Sequence, residues 1–414
     1  MAMRKTTYLA LVAVVVIGLS LVACGRSTTT TTATTAPAVS KTTAPGASTA
    51  PATTSTTAPQ APKVIAWATT DLGTHSYFIA SVAGESMKDK FGVTVRIVPL
   101  GSGVGKMTLL RTGSIHATFL GGESYLAREG VADFTSRAWG PQKLRMLYQF
   151  MGSTPTGYAV RGNSGITSLK DLKGKKAPFV LGMPSHNLSI EGALAFAGLT
   201  WNDVTKVELP SFGATIDAII DGKTDVAVIG TSSDFATRIA ASSGGMRLLP
   251  LPAADKEGWK RFAQFKPEQT PAIITQGPGL SATNTYEGAS PPLNLDAFDT
   301  LSEDIAYLTT KYWVEAYPLY KDKDPRMMNA SLNNVLDVVG KLPDAFHPGA
   351  IRYFKEIGRW TPQHEAWNNK ALEREDKLMK AWDAFLAEAD ATKVTEDKLA
   401  ALWEKYRTQV PRVE

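Results

Sequence analysis

The feature that most limits how this chain can fold is a pattern that occurs twice. Leu110-Arg111-Thr112-Gly113 precedes His116, an apolar run at 117–120, Gly121 and Ser124. Ile219-Ile220-Asp221-Gly222 precedes Asp225, an apolar run at 226–229, Gly230 and Ser233. Corresponding residues are all offset by 109 positions. Each copy reads as a helix closed by glycine, a buried strand, and a glycine turn into a further helix. Strand–loop–helix units precede both copies: 64–68 leads into Gly73-Thr74-His75-Ser76, and 177–181 into Gly182-Met183-Pro184-Ser185-His186-Asn187. Generic α/β grammar could produce such matches, and the alternative to it is two similar α/β lobes. We expect the lobes.

The local periodicities agree with open sheets flanked by helices. Ile79, Val82, Ala83, Ser86 and Met87 fall on one face of a helix, and Val93, Val95 and Ile97 alternate as a strand does. In such sheets ligands bind beyond the carboxyl ends of the strands, next to helix N-termini. Two facing lobes therefore make a cleft whose free backbone N–H groups and helix dipoles favour an anionic ligand.

The first 62 residues are of another kind. Arg4 and Lys5 precede an apolar stretch at 8–19, too short for the roughly 20 residues of a membrane span, which ends in Leu21-Val22-Ala23-Cys24. This resembles a bacterial lipobox, in which cleavage precedes a cysteine that then carries lipid. Cys24 is the only cysteine of the 414 residues, so an intrachain disulfide is excluded, as is a cysteine-rich zinc site. Loss of residues 1–23 removes Arg4 and Lys5 and lowers the formal net charge from +5 to +3, weak support for a nucleic-acid partner. Residues 27–62 contain 14 Thr and 9 Ala, with Lys41 the only charge, so they have almost nothing to bury. They read as a disordered tether.

Further motifs carry a family resemblance. The stretches 68–77 (ATTDLGTHSY), 101–120 (GSGVGKMTLLRTGSIHATFL), 165–176 (GITSLKDLKGKK), 197–204 (AGLTWNDV), 211–230 (SFGATIDAIIDGKTDVAVIG) and 347–358 (HPGAIRYFKEIG) resemble the TAXI solute receptors of tripartite (TRAP) transporters. The resemblance implies a two-lobed, periplasmic-binding-protein-like (type II) α/β fold with a strand hinge. It implies no enzyme activity and no cofactor or metal. The partners it implies are a small organic acid, such as the glutamate or 2-oxoglutarate bound by characterised relatives, and an ion-driven permease of the TRAP type. This chain departs from the family at Gly105-Lys106, where relatives carry Glu-Asn, at His116, where an Asp is usual, and at Pro184-Ser185-His186-Asn187.

The cleft-facing loops nominate ligand-binding residues: Thr74, His75, Ser76 and Tyr77; Gly103, Val104 and Lys106; Glu123; Ser185, His186 and Asn187; Thr231, Ser232 and Ser233. Each has a plainer reading. His75 and His186 read equally as solvated loop histidines, Lys106 as an exposed lysine at a helix start, Tyr77 as packing, and the hydroxyl residues as N-caps. Tyr286 is a further candidate from the returning chain. A P-loop fails because Leu100 and Met107 occupy positions the motif requires as Gly and Ser or Thr, and the nucleophile elbow of a hydrolase is not matched.

The expected organisation is a lipoprotein signal peptide at 1–23, a tether at 24–62, lobe I at 63–155, lobe II at 156–272, a return to lobe I with the hinge at 273–358, and a helical extension at 359–414. In the extension, Leu378, Trp382 and Phe385 and then Leu399, Leu402, Trp403 and Tyr406 mark two amphipathic helices, the second capped by Thr395. These pack on the receptor as a hairpin or serve as a docking surface. The expected function is a lipid-anchored, extracytoplasmic solute receptor; an ATP-driven importer's receptor and a secreted α/β hydrolase are the alternatives. If Cys24 carries the anchor, mass spectrometry of the N-terminal peptide finds the chain starting at Cys24 with a lipid-sized mass increase on that residue; an unmodified Cys24 refutes the anchor.

Overall fold

The computed structural model describes residues 62–150, 155–337, 339–340 and 344–413. The signal peptide, the tether to residue 61 and Cys24 lie outside the described residues. The chain opens with β1 (Val64–Thr69), α1 (His75–Phe91), β2 (Thr94–Pro99), α2 (Gly103–Arg111), β3 (Ala117–Leu120), α3 (Gly122–Glu129) and β4 (Leu144–Gln149). The apolar faces read from the sequence are the buried ones: Ile79, Ala83 and Met87 of α1 pack beneath the sheet with Ile65 and Trp67. Later strand β12 (Asn294–Phe298) completes a five-stranded sheet in the order β2-β1-β3-β12-β4. Its first three strands run parallel and β12 runs antiparallel to both neighbours. Trp67 stacks on Trp313 at 5.4 Å, and Trp313 stacks on Tyr148 at 5.5 Å, seating the helix that carries Trp313 on the sheet.

Lobe II contains β5 (Thr156–Arg161), β6 (Lys176–Val180), α4 (Pro184–Phe196), β7 (Thr205–Leu209), α5 (Phe212–Ile220), β8 (Ala227–Gly230), α6 (Asp234–Ala241), β9 (Met246–Leu249), α7 (Lys256–Phe262), β10 (Thr270–Ile274) and β11 (Tyr286–Ser290). Strands β10, β11, β5 and β8 form one sheet, with β9 also paired to β5, and β6 and β7 form a parallel pair. The boundary expected at 272 is therefore too early. Strand β11 pairs with β10 along its whole length, so the chain stays in lobe II through Ser290 and returns to lobe I only at β12.

The twofold pattern has a physical basis. Gly113 and Gly222 both adopt left-handed backbone, at φ 69° and 73°, where they follow α2 and α5. The His116 N–H donates to the Ala66 carbonyl at 2.8 Å while its Nδ1 accepts the Ala66 N–H at 2.9 Å. Asp225 does the same to Lys176, with N–H to carbonyl and N–H to Oδ2 both at 2.8 Å. Burial lowers the His116 pKa, and the neutral ring nitrogen then accepts as a carboxylate oxygen would. The correspondence ends at the serines: Ser233 caps α6, whereas Ser124 lies inside α3 and donates to Asp296 at 2.6 Å.

After β12 come α8 (Glu303–Tyr320), α9 (Leu332–Leu336), α10 (Pro348–Glu356), α11 (Pro362–Ala391) and α12 (Glu396–Arg407). Helices α11 and α12 form a hairpin around Leu378, Trp382, Phe385, Leu399 and Trp403, as the two apolar stripes predicted. Thr395 is the N-cap of α12 but makes no side-chain cap bond. The hairpin packs on lobe I, with Val131 against its core. Buried Glu129 pairs with Arg374 at 2.7 Å and Arg407 at 3.2 Å, and its carbonyl accepts the Trp403 indole N–H at 2.9 Å. Breaking a buried pair from one side leaves the other charges uncompensated. Glu129→Gln is expected to cost about 3–5 kcal/mol in urea unfolding; a loss below 1 kcal/mol would show that the hairpin does not depend on this pairing.

Candidate functional site

The strand ends and helix starts of both lobes meet around an interlobe cavity of about 160 Å³. Lobe I contributes Thr70, Thr74, His75, Ser76 and Gly121–Glu123; lobe II contributes Thr156, Met183, Ser185, His186, Ser189, Gly230, Ser233 and Gln269. Phe212, Val228 and Phe235 add apolar wall, and Pro291, Pro292 and Leu293 close it where the chain crosses between lobes. Five helices begin here: α1, α3, α4, α5 and α6. Thr74 caps α1 and Ser233 caps α6. The starts of α3, after Gly121, and α4, after Met183, have no side-chain cap. Pro184 has no N–H, and the Ser124, His186 and Asn187 N–H groups return to the Gly121 and Met183 carbonyls. The Gly122, Glu123 and Ser185 N–H groups are left without an intrahelical acceptor, an arrangement suited to an anion or a strong hydrogen-bond acceptor.

Direct bonds hold the two lobes together around this space. On one rim the Gly182 carbonyl accepts both the Val104 N–H, at 3.2 Å, and the Ser102 hydroxyl, at 2.9 Å. Close by, the Gly213 N–H donates to Asp71 at 2.7 Å. Elsewhere His75 Nε2 lies 3.1 Å from the Ser232 hydroxyl, and Arg326 donates to the Ser232 carbonyl at 3.0 Å. Gly122 at the start of α3 has no room for a Cβ, which would fall 2.3 Å from Lys266 Nζ of the facing lobe.

Both cleft histidines are neutral. Burial, helped by Arg326, holds His75 down to about 3, and burial, helped by Lys266, holds His186 down to about 4. Neither reading of them as solvated loop residues survives. His75 Nδ1 and both ring nitrogens of His186 are buried without a protein partner, as is Gln269 Oε1. The amide of Asn187, next in sequence to His186, instead spans Val180, accepting its N–H at 2.8 Å and donating to its carbonyl at 2.9 Å.

The nominated residues divide accordingly. Thr74, His75, Ser76, Glu123, Ser185, His186 and Ser233 line the cavity. Lys106 does not: its Nζ, buried beneath the sheet, donates to the Phe119 carbonyl at 2.9 Å and to Thr70 at 3.2 Å, and burial lowers its pKa. It is neither an exposed lysine nor a cation presented to the cleft. Asn187 is committed to β6, Thr231 donates to the Gln276 carbonyl, and Ser232 meets His75 rather than the cavity. Gly103 packs against Glu123, Val104 against the apolar cluster under α2, and Tyr77 lies outside the lining. Tyr286 donates to the Leu249 carbonyl at 2.9 Å within lobe II. Lys266, absent from the nominations, is buried with Glu268 at 2.6 Å and donates to Ser185 at 2.9 Å. Phe212 follows strand β7 and was findable from the strand-end rule; Gln269, in the loop after α7, had no motif to mark it.

A family model described as the NMT1-like family matches residues 68–358. No curated protein matches the chain. Among solved structures, the aliphatic sulphonate binding protein SsuA from Escherichia coli is 16% identical, with 75% of this chain and 79% of that one covered and a TM-score of 0.40. The alkanesulfonate-binding protein SsuA from Xanthomonas axonopodis pv. citri, bound to MOPS, is 17% identical over 85% of each chain, TM-score 0.36. PhnD1 from Prochlorococcus marinus, in complex with methylphosphonate, is 14% identical over 72% of this chain and all of the other, TM-score 0.42. Likenesses this distant transfer no ligand.

The neutral histidines set a pH dependence with a definite sign. Unfolding lets each ring take up a proton below about 6.5, while the folded state stays neutral to about 4 or below. The unfolded chain therefore binds more protons, and stability falls as pH drops from 6.5 towards 4. Each ring contributes a slope of up to about 1.4 kcal/mol per pH unit there. His186→Leu is expected to remove about one such slope from stability measured by urea titration between pH 6.5 and 4; an unchanged slope contradicts the neutral ring.

Proposed function

We propose a transport role for this chain, which belongs to the NMT1-like family of non-catalytic solute-binding proteins and is a receptor for small organic molecules. It is an extracytoplasmic receptor that captures a small organic anion between its lobes, closes on it and passes it to a membrane permease. The observation that carries this reading is the cavity where five helices begin, two of them without a side-chain cap, walled by hydroxyls and neutral imidazoles. An acidic group there is met by amides and hydroxyls and not by a basic side chain, since Lys106 and Lys266 are spent on protein partners.

Glu123 is the one acidic side chain on the cavity wall among the described residues. It favours a solute that brings hydrogen-bond donors along with its anionic group, an amino acid before a dicarboxylate. The resemblance to TAXI receptors supports a TRAP-type permease as the partner, and the lipobox supports a lipid anchor at Cys24 on the outer face of a bacterial membrane. Purified protein is expected to release a small organic acid identifiable by mass. Readded at 100 times its Kd, that compound stabilises the fold by about 2.7 kcal/mol. A protein that releases nothing and shows no thermal shift with amino acids or dicarboxylates refutes the reading.

A further inference from the structure

On one side of the cavity two hydrogen bonds between the lobes converge on Ser232. Ser232 lies between β8 and α6, and both of its neighbours are fixed to lobe II. Thr231 takes the Pro155 carbonyl with its N–H and the Gln276 carbonyl with its hydroxyl, and Ser233 caps α6 while donating to the Gly230 carbonyl. Ser232 is thus held rigidly towards lobe I. There its hydroxyl meets His75 Nε2 at 3.1 Å and its carbonyl accepts Arg326 Nη1 at 3.0 Å.

The lobe I side is equally braced. Arg326 is gripped by both oxygens of Asp324, at 2.8 and 2.9 Å, and its guanidinium lies 3.5 Å from the centroid of the Phe78 ring on α1. His75 is the first residue of that same helix. Its other nitrogen, Nδ1, is buried without a protein partner in a ring that lines the cavity. One imidazole therefore faces the solute space with one nitrogen and holds the opposite lobe with the other.

We propose that His75, Ser232 and Arg326 form a latch that holds the lobes closed, with His75 as the positioning residue that connects the latch to whatever occupies the cavity. A solute that bonds Nδ1 gains that bond only while the ring is fixed by Ser232, so occupancy and closure favour each other. The latch goes beyond the receptor reading, because it concerns how the lobes part and requires no particular solute.

Two amides in the other bonds between the lobes report opening directly. Val104 and Gly213 are second residues of α2 and α5, without intrahelical acceptors, and their N–H groups bond across the cleft to Gly182 and Asp71. In hydrogen-exchange mass spectrometry of the full chain without added solute, the double variant Ser232→Ala/Arg326→Met is expected to exchange about tenfold faster at both amides, with β1 unchanged. Acceleration confined to residues 230–234, or unchanged exchange at either amide, overturns the latch. Should β1 also accelerate, Ser232→Ala alone is measured and judged by the same criterion. No solute enters the measurement, so a failed latch leaves the solute screen intact, and a failed screen leaves the latch result intact.

Discussion

The chain passes between its lobes twice, and the pairing of those two passages is the constraint on which the architecture rests. Strands β4 and β12 pair antiparallel in lobe I, with Gln149 opposite Asn294; β5 and β11 pair antiparallel in lobe II, with Thr156 opposite Ala289. Between them the Phe150 N–H donates to the Leu293 carbonyl at 2.9 Å. The crossing is therefore tied on both sides, at Phe150–Leu293 and at Thr156–Ala289, a pairing that resists sliding. It brings Pro291, Pro292 and Leu293 to the cavity, so the element that joins the lobes is also part of the wall.

The cavity gains its character from what the fold leaves unfinished. In most buried regions polar atoms find protein partners. Here His75 Nδ1, both nitrogens of His186 and Gln269 Oε1 do not, while polar groups just behind them are fully used: Lys106 on Phe119 and Thr70, Lys266 on Glu268 and Ser185. The second set holds the first in place. The lysine charges are kept one step back from the cavity, and Glu123 is turned towards it with neutral donors and acceptors.

Much of this was legible beforehand. The repeated pattern marked the equivalent strands, and the strand-end rule led to Thr74, His75, Ser76, Ser185, His186 and Ser233 because helix starts are fixed by local residues. Lys106 was misjudged for a physical reason: a lysine near a helix start can reach out or fold under the sheet, and only the space beneath β3 decides which. The end of lobe II was misplaced because Gly288, Ala289 and Ser290 have poor strand propensity, and only their pairing with β10 makes them a strand. Gln269 reaches the cavity through the packing of α7, which no nearby pattern encodes.

The C-terminal hairpin makes the two lobes mechanically unequal. Its ion pairs end on lobe I, at Glu129, Arg137, Arg145 and Lys355. Arg145 belongs to β4, the strand that leads into the crossing, so the brace reaches its root. Lobe I is in effect the fixed jaw of a vice, stiffened along its back, and lobe II is the lighter jaw that travels. A membrane partner gripping the fixed jaw would meet the same surface whether the vice is shut or open, and could sense occupancy only from the position of the other.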